Sequence, residues 1–152
     1  MSPAVSVLYR DYLPNDLRPI LASAGIDQTI VVQAAQTTAE TDFLLELASS
    51  YSFIAGVVGW LDMESADFPR QFERYLANPK FIGLRPMLQD IADDEWILRP
   101  PVMESLKVVA QADLPFEFLT YTRHLPHVLK VLEQVPGLRK SLEKTEGEDA
   151  KK

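Results

Sequence analysis

The sequence contains no cysteine and only two histidines. The first absence removes disulfide frameworks, thiolate zinc sites, iron–sulfur clusters and thiol nucleophiles. The second limits what metal chemistry the chain performs unaided, because a catalytic ion needs about three protein ligands. No Gly-x-Gly-x-x-Gly, Walker loop or Gly-x-Ser-x-Gly elbow occurs, so nucleotide-binding and serine-hydrolase readings have no support. No apolar run approaches the ~20 residues of a bilayer-spanning helix, and the N-terminal Met-Ser-Pro-Ala-Val-Ser-Val has no basic region followed by an apolar core. A cytoplasmic protein without a membrane partner is the expectation. Clustered basic charge is missing too. Residues 139–152 hold five bases and four acids, which leaves ten bases against eighteen acids in residues 1–138. That balance argues against a nucleic-acid partner, whose phosphates need grouped Lys and Arg.

What is present is an ordinary globular composition: 152 residues, 47% apolar, 9% aromatic and 24% charged. That is about one domain of ~100–200 residues. Short apolar runs alternate with amphipathic stretches. Residues 30–33 (Ile-Val-Val-Gln) lack internal alternation, as expected of a strand covered on both faces. Thr38, Ala39 and Glu40 then start a helix carrying Phe43, Leu44, Leu47 and Ala48 on one face. Residues 53–60 form the second run, followed by a helix from Ser65 with Phe68, Phe72, Tyr75 and Leu76. Asn78-Pro79 stops that helix ahead of a third run at 81–84. A longer connection over 85–99 leads to Pro100-Pro101 and a helix with Val102, Leu106, Val109 and Ala110. The fourth run, 114–119, precedes helical spacing at Leu125, Val128, Leu129, Leu132 and Val135.

Ahead of these units, residues 14–21 read as a helix that Gly25 caps. Strands alternating with helices imply right-handed crossovers and a parallel sheet. Four strands at this spacing fit an open sheet or half of an eight-stranded (β/α) barrel of ~250 residues. The fold class expected is therefore α/β, a parallel (β/α) repeat resembling half of a TIM barrel. Residues 1–138 form the domain. Residues 139–152 are a charged tail expected to be disordered beyond about Glu143, since one Leu and one Ala among the last twelve residues cannot offset the ordering entropy.

In parallel α/β folds chemistry sits at the C-terminal ends of the strands. There the chain places Gln33 and Gln36, Trp60 and Asp62, Arg85 and Gln89, and Thr120, Tyr121, Arg123 and His124. Arg85, between Gly83 and Pro86, has the guanidinium that binds a carboxylate or lactone carbonyl. Its alternative role is an ion pair with Asp62 or Asp90. His124 and His127 share one side of a helical turn but lack a third metal ligand nearby, and Pro126 puts His124 ahead of the helix. His124 alone suits a general acid or hydrogen-bond donor; His127 reads as an exposed helix residue. Trp60 and Tyr121 either wall a ring-shaped substrate or cap the barrel interior. Asp93-Asp94-Glu95 reads as a solvated first helical turn.

These residues resemble a known family. Val31-Val32-Gln33, Glu40-Thr41, Gly56-Val57-Val58-Gly59-Trp60-Leu61-Asp62, Gly83-Leu84-Arg85-Pro86-Met87-Leu88-Gln89-Asp90, Trp96-Ile97-Leu98 and Arg123-His124-Leu125-Pro126 are similar to the amidohydrolase-related proteins. Within them they look like the branch of sugar-lactone and dicarboxylate-lactone hydrolases. The resemblance runs from about Tyr9 to Leu138 and implies a (β/α) barrel hydrolase of lactones or related C–O and C–N bonds. It implies that Arg85 binds the substrate carbonyl or carboxylate, that Tyr121 and His124 line the site, and that Gln33 and Trp60 complete its wall.

Full-length relatives carry a divalent metal, zinc or manganese, on a His-x-His strand, an Asp-His strand and a final Asp. The expectation is that this chain spans strands two to five and lacks those motifs. The expected ligand is a small lactone or carboxylate. Exposed sheet edges would favour a homodimer that completes the barrel.

Overall fold

The computed structural model describes residues 10–144. Helix α1 (Pro14–Ala24) leads into β1 (Thr29–Val32), α2 (Thr38–Ser50), β2 (Ile54–Gly59), α3 (Phe68–Leu76) and β3 (Phe81–Leu84). There follow α4 (Pro100–Gln111), β4 (Phe116–Thr120), α5 (Leu125–Gln134) and β5 (Lys140–Lys144). The five strands make one sheet in the order β1-β2-β3-β4-β5, every neighbouring pair parallel. The expected α/β half-barrel is what forms.

Local chemistry sets the element ends. Gly25 caps α1 at φ 68°, in the left-handed region that a side chain disfavours. The true N-cap of α2 is Thr37, whose hydroxyl accepts from the Glu40 N–H at 3.2 Å. Helix α3 starts at Phe68 rather than Ser65, with Pro69 in its first turn. Helices α4 and α5 also open on proline, and α5 begins after His124 as expected.

The core lies between the sheet and its helices. Leu44, Leu45 and Ala48 of α2, Phe72 and Tyr75 of α3, Val102, Leu106 and Val109 of α4, and Val128 and Val131 of α5 pack with Val57, Phe81, Phe116 and Phe118. The long connection between β3 and α4 makes two 3-10 turns, Leu88–Asp90 and Trp96–Leu98. Ile97 and Leu88 are buried there, so this loop is part of the core.

One expectation is corrected. The sheet has five strands, because residues 140–144 pair with β4 from Phe116↔Lys140 to Thr120↔Lys144. Lys140, Ser141, Leu142 and Glu143 are exposed. An edge strand is held by its backbone ladder and tolerates charge on its side chains, so apolar periodicity gave no sign of it. Residues 145–152 of the expected tail lie outside the described residues, as do residues 1–9.

Gly59, at the end of β2, packs tightly against a clamp. A Cβ there would sit 2.6 Å from Thr41 Cγ2 and 2.8 Å from Phe81 Cε2. Thr41 cannot retreat. Its hydroxyl donates to the Trp60 carbonyl and accepts from the Trp60 N–H, both at 2.9 Å. Gly59→Ala should therefore cost about 1–3 kcal/mol by overpacking, seen as a lower urea midpoint; an unchanged midpoint would refute this account of the α2–β2 contact.

Candidate functional site

Strand order arrays the rim residues in sequence: Gln33 after β1, Trp60 after β2, Arg85 after β3, and Thr120, Tyr121 and His124 at and after β4. Two contact groups form among them.

The first is centred on Arg85. Its backbone N–H donates to Gly59 O at 2.9 Å and its carbonyl accepts from Gln33 Nε2 at 2.8 Å. The side chain is only 12% exposed. Nη2 donates to the Gln33 carbonyl, and Nη1 donates to Glu143 Oε2 on β5 at 3.2 Å. The partner is thus Glu143, not Asp62 or Asp90. Half-buried Glu117 on β4 belongs to the same neighbourhood: burial pushes its carboxyl pKa up, Arg85 pulls it down and Glu143 pushes it up again.

The second group surrounds His124, which is 1% exposed. Its Nδ1 accepts from the Tyr121 N–H at 3.0 Å, so the neutral ring carries its proton on Nε2. Nε2 lies 3.2 Å from Asp94 Oδ1 without the alignment of a hydrogen bond. The Tyr121 ring stacks on His124, with centroids 6.1 Å apart, and Arg123 lies over the Tyr121 ring at 4.6 Å. Arg123 Nε donates to Asp94 Oδ1 at 2.8 Å, and this contact, with lesser help from His124, holds the Asp94 carboxyl below the usual range. The acidic run 93–95 is therefore not simply solvated. Asp93 accepts from Arg99, which also reaches Glu64, and Trp96 Nε1 donates to Glu64 at 2.8 Å. His127 is 16% exposed on its side chain, with Nδ1 3.9 Å from Glu95, and is more enclosed than an exposed helix residue.

Four buried polar atoms on this rim have no hydrogen-bond partner among the described residues: Gln33 Oε1, Arg85 Nε, Thr120 Oγ1 and His124 Nε2. A buried donor or acceptor left unpaired costs about 1–3 kcal/mol. All four gather at the C-terminal end of the sheet. Trp60 is half-buried, its backbone fixed by Thr41. Of the five predicted residues, contacts join Gln33 with Arg85 and Tyr121 with His124, while Trp60 stands on the strand between Gln33 and Arg85. Sequence reasoning passed over Asp94, Glu117 and Glu143.

The donors do not suit a metal ion. No group of three or more His, Asp or Glu that could hold one occurs among the described residues. His124 Nδ1 is occupied by the Tyr121 N–H and Asp94 by Arg123.

A curled five-stranded parallel sheet with its helices defines a (β/α) half-barrel. Residues 1–140 match the amidohydrolase family model, and the chain belongs to that family. It is 44% identical over 135 residues to an L-fucono-1,5-lactonase of Burkholderia ambifaria, covering 89% of this chain and 47% of that protein. A zinc-bound amidohydrolase of Burkholderia multivorans superposes with TM-score 0.84 at 30% identity, over 93% of this chain and 50% of the other. A probable 2-pyrone-4,6-dicarboxylic acid hydrolase of Acinetobacter baumannii with citric acid bound shares the fold, with TM-score 0.66 at 14% identity, over 88% and 51%. The chain spans about half the length of these relatives. Among the described residues no helix is long and apolar enough to cross a membrane.

The surroundings of His124 fix a pH response. Burial first, then Arg123, hold its pKa below the ordinary 6.5, against the pull of Asp94. The ring stays neutral in the fold while the unfolded chain takes up a proton, so stability is full above about pH 6.5 and falls as pH drops toward the folded pKa. The imidazole should titrate by NMR below 6.5. Thermal melts compared at about pH 7.5 and about pH 5.5 should show a larger loss in wild type than in His124→Gln; parallel losses would disprove the assignment.

Proposed function

We propose that this chain supplies the lactone-binding side of an amidohydrolase barrel that hydrolyses the ester bond of sugar lactones. The observation carrying this reading is the 44% identity to an L-fucono-1,5-lactonase, joined to a rim of unpaired polar atoms at the strand ends. The Arg85 guanidinium offers an N–H to the lactone carbonyl oxygen, where negative charge grows as water adds. His124, neutral and protonated on Nε2 with that nitrogen turned to Asp94, lines the site beside Tyr121. Gln33 Oε1 and Thr120 Oγ1 accept from sugar hydroxyls, and the Trp60 and Tyr121 rings wall the sugar ring. These are binding and orienting roles. Zinc is bound in the Burkholderia multivorans amidohydrolase; a divalent ion of that kind would supply an activated water, and no step in this chain runs through it.

A second reading keeps the fold and drops the turnover: a catalytically silent half-barrel that self-associates. It is favoured by exposed apolar side chains at both ends of the sheet. Tyr12, Leu13, Ile20 and Ile30 lie by β1, and Leu129 and Leu142 by β5. Such surface is ordinarily covered by a partner.

Light scattering together with an aldonolactone assay, run with and without zinc or manganese, separates the two. Turnover above background by a monomer supports the first reading, and a stable dimer without turnover supports the second. Arg85→Ala should weaken binding of an uncharged aldonolactone about tenfold or more and lower stability by about 1–3 kcal/mol, because Gln33 O and Glu143 lose their donor. Unchanged lactone affinity in that variant would remove Arg85 from the site.

A further inference from the structure

We propose that Glu143 is a specificity-determining residue of this site, restricting it to uncharged lactones by occupying the Arg85 fork that a ligand carboxylate would need. The proposal rests on the lactone-binding reading above and adds to it the charge class of the ligand.

An arginine recognises a carboxylate best through two parallel N–H donors meeting both oxygens. Here the outer fork is engaged: Nη1 by Glu143 Oε2 at 3.2 Å and Nη2 by the Gln33 carbonyl. Of the five guanidinium N–H groups, Nε–H is buried without a partner, and each Nη keeps one further hydrogen. With one hydrogen of each Nη already committed, a carboxylate meets a fork partly satisfied by Glu143, whereas a carbonyl or hydroxyl oxygen needs a single N–H. Charge points the same way. The Arg85 cation already has two acids near it, Glu143 in contact and Glu117 close enough to feel both. A carboxylate entering beside them would be a third anion around one cation, and like charges brought together at a binding surface cost affinity. An uncharged lactone meets no such repulsion.

The position of Glu143 fits this role. It is the fourth residue of β5, opposite Leu119 in the ladder, so the backbone pairing of an edge strand carries the carboxylate to Arg85. Its side chain is 63% exposed, which leaves it free to be exchanged without opening a core.

The test uses a matched pair of ligands, D-glucono-1,4-lactone and D-glucaro-1,4-lactone, which present a hydroxymethyl and a carboxylate respectively. Affinities for the whole chain come from NMR shift titration. Wild type should prefer the uncharged lactone by about tenfold, and Glu143→Gln should erase or reverse that preference by tightening the carboxylate ligand alone. Glu143→Asp should retain it. Far-UV circular dichroism checks that each variant is folded, and Glu143→Ser replaces Glu143→Gln if the latter is not. If Arg85→Ala abolishes binding of both lactones while Glu143→Gln leaves their ratio at the wild-type value, this inference is overturned and the lactone site stands. If Arg85→Ala leaves binding intact, or wild type binds neither lactone, both readings are overturned.

Discussion

The Arg85 guanidinium ties one edge of the sheet to the other. It follows β3, the middle strand, and reaches the Gln33 carbonyl just beyond β1 and the Glu143 carboxylate on β5. In a flat five-stranded sheet those edges would be roughly 19 Å apart, at about 4.8 Å per neighbour. Two nitrogens of one planar group cannot span that, so the contact exists only because the sheet curls with Arg85 on its hollow side. Curvature and charge are thereby coupled. The side chain proposed above to meet the lactone is the one that draws the two edges of the sheet inward. The ladder between β3 and β4 is a single pair, Leu84↔Phe116, with a separate bridge at Met87↔Leu119. A cross-sheet tie matters most where the ladder is thinnest.

The connection between β3 and α4 does for the second contact group what Arg85 does for the first. Fifteen residues without a regular helix would be a mobile loop were they not anchored. Buried Ile97 and Leu88 root this segment in the core, while Arg99 links Asp93 to Glu64 and Arg123 holds Asp94. Most of these pairs are solvated and contribute little to stability singly. Their effect is positional, since they bring Asp94 over the ring of His124. Tyr121 fixes that ring from the opposite nitrogen through its backbone. A neutral imidazole gripped at Nδ1 and facing a carboxylate at Nε2 has one donor, one direction and one protonation state near neutral pH.

Much of this was legible in the amino-acid order. Unbroken apolar runs gave the parallel strands, best in β2, which is buried almost throughout, while Ile30 of the β1 run is exposed at the sheet edge; helical spacing at Leu125, Val128, Leu129 and Leu132 gave α5. The rim residues followed from the rule that strand C-termini carry the chemistry, and Gln33, Arg85, Tyr121 and His124 are where that rule puts them. The misses share a cause. Glu143 sits on an edge strand stabilised by backbone pairing, which side-chain periodicity does not record. Asp94 lies in an acidic run whose composition is that of a solvated turn, and only the tertiary approach of Arg123 and His124 distinguishes it. Long-range ion pairs leave no local pattern: Arg85 and Glu143 are 58 positions apart.

The fifth strand changes the argument about what covers the open edges. With four strands, two copies would supply the eight that close a (β/α) barrel. With five, two copies bring ten, and the tilt and stagger that close eight strands do not close ten at the same diameter. The exposed apolar groups near β1 and β5 still call for a neighbour, yet a second copy fits the opening less well than the expected four-stranded half would have. Glu143 belongs to the same consideration. It is presented by the very edge strand whose outer side is uncovered, so whatever pairs with β5 also sets how firmly Glu143 is held against Arg85. The pairing of β5 and the hold of Glu143 on Arg85 are in this way tied to one strand.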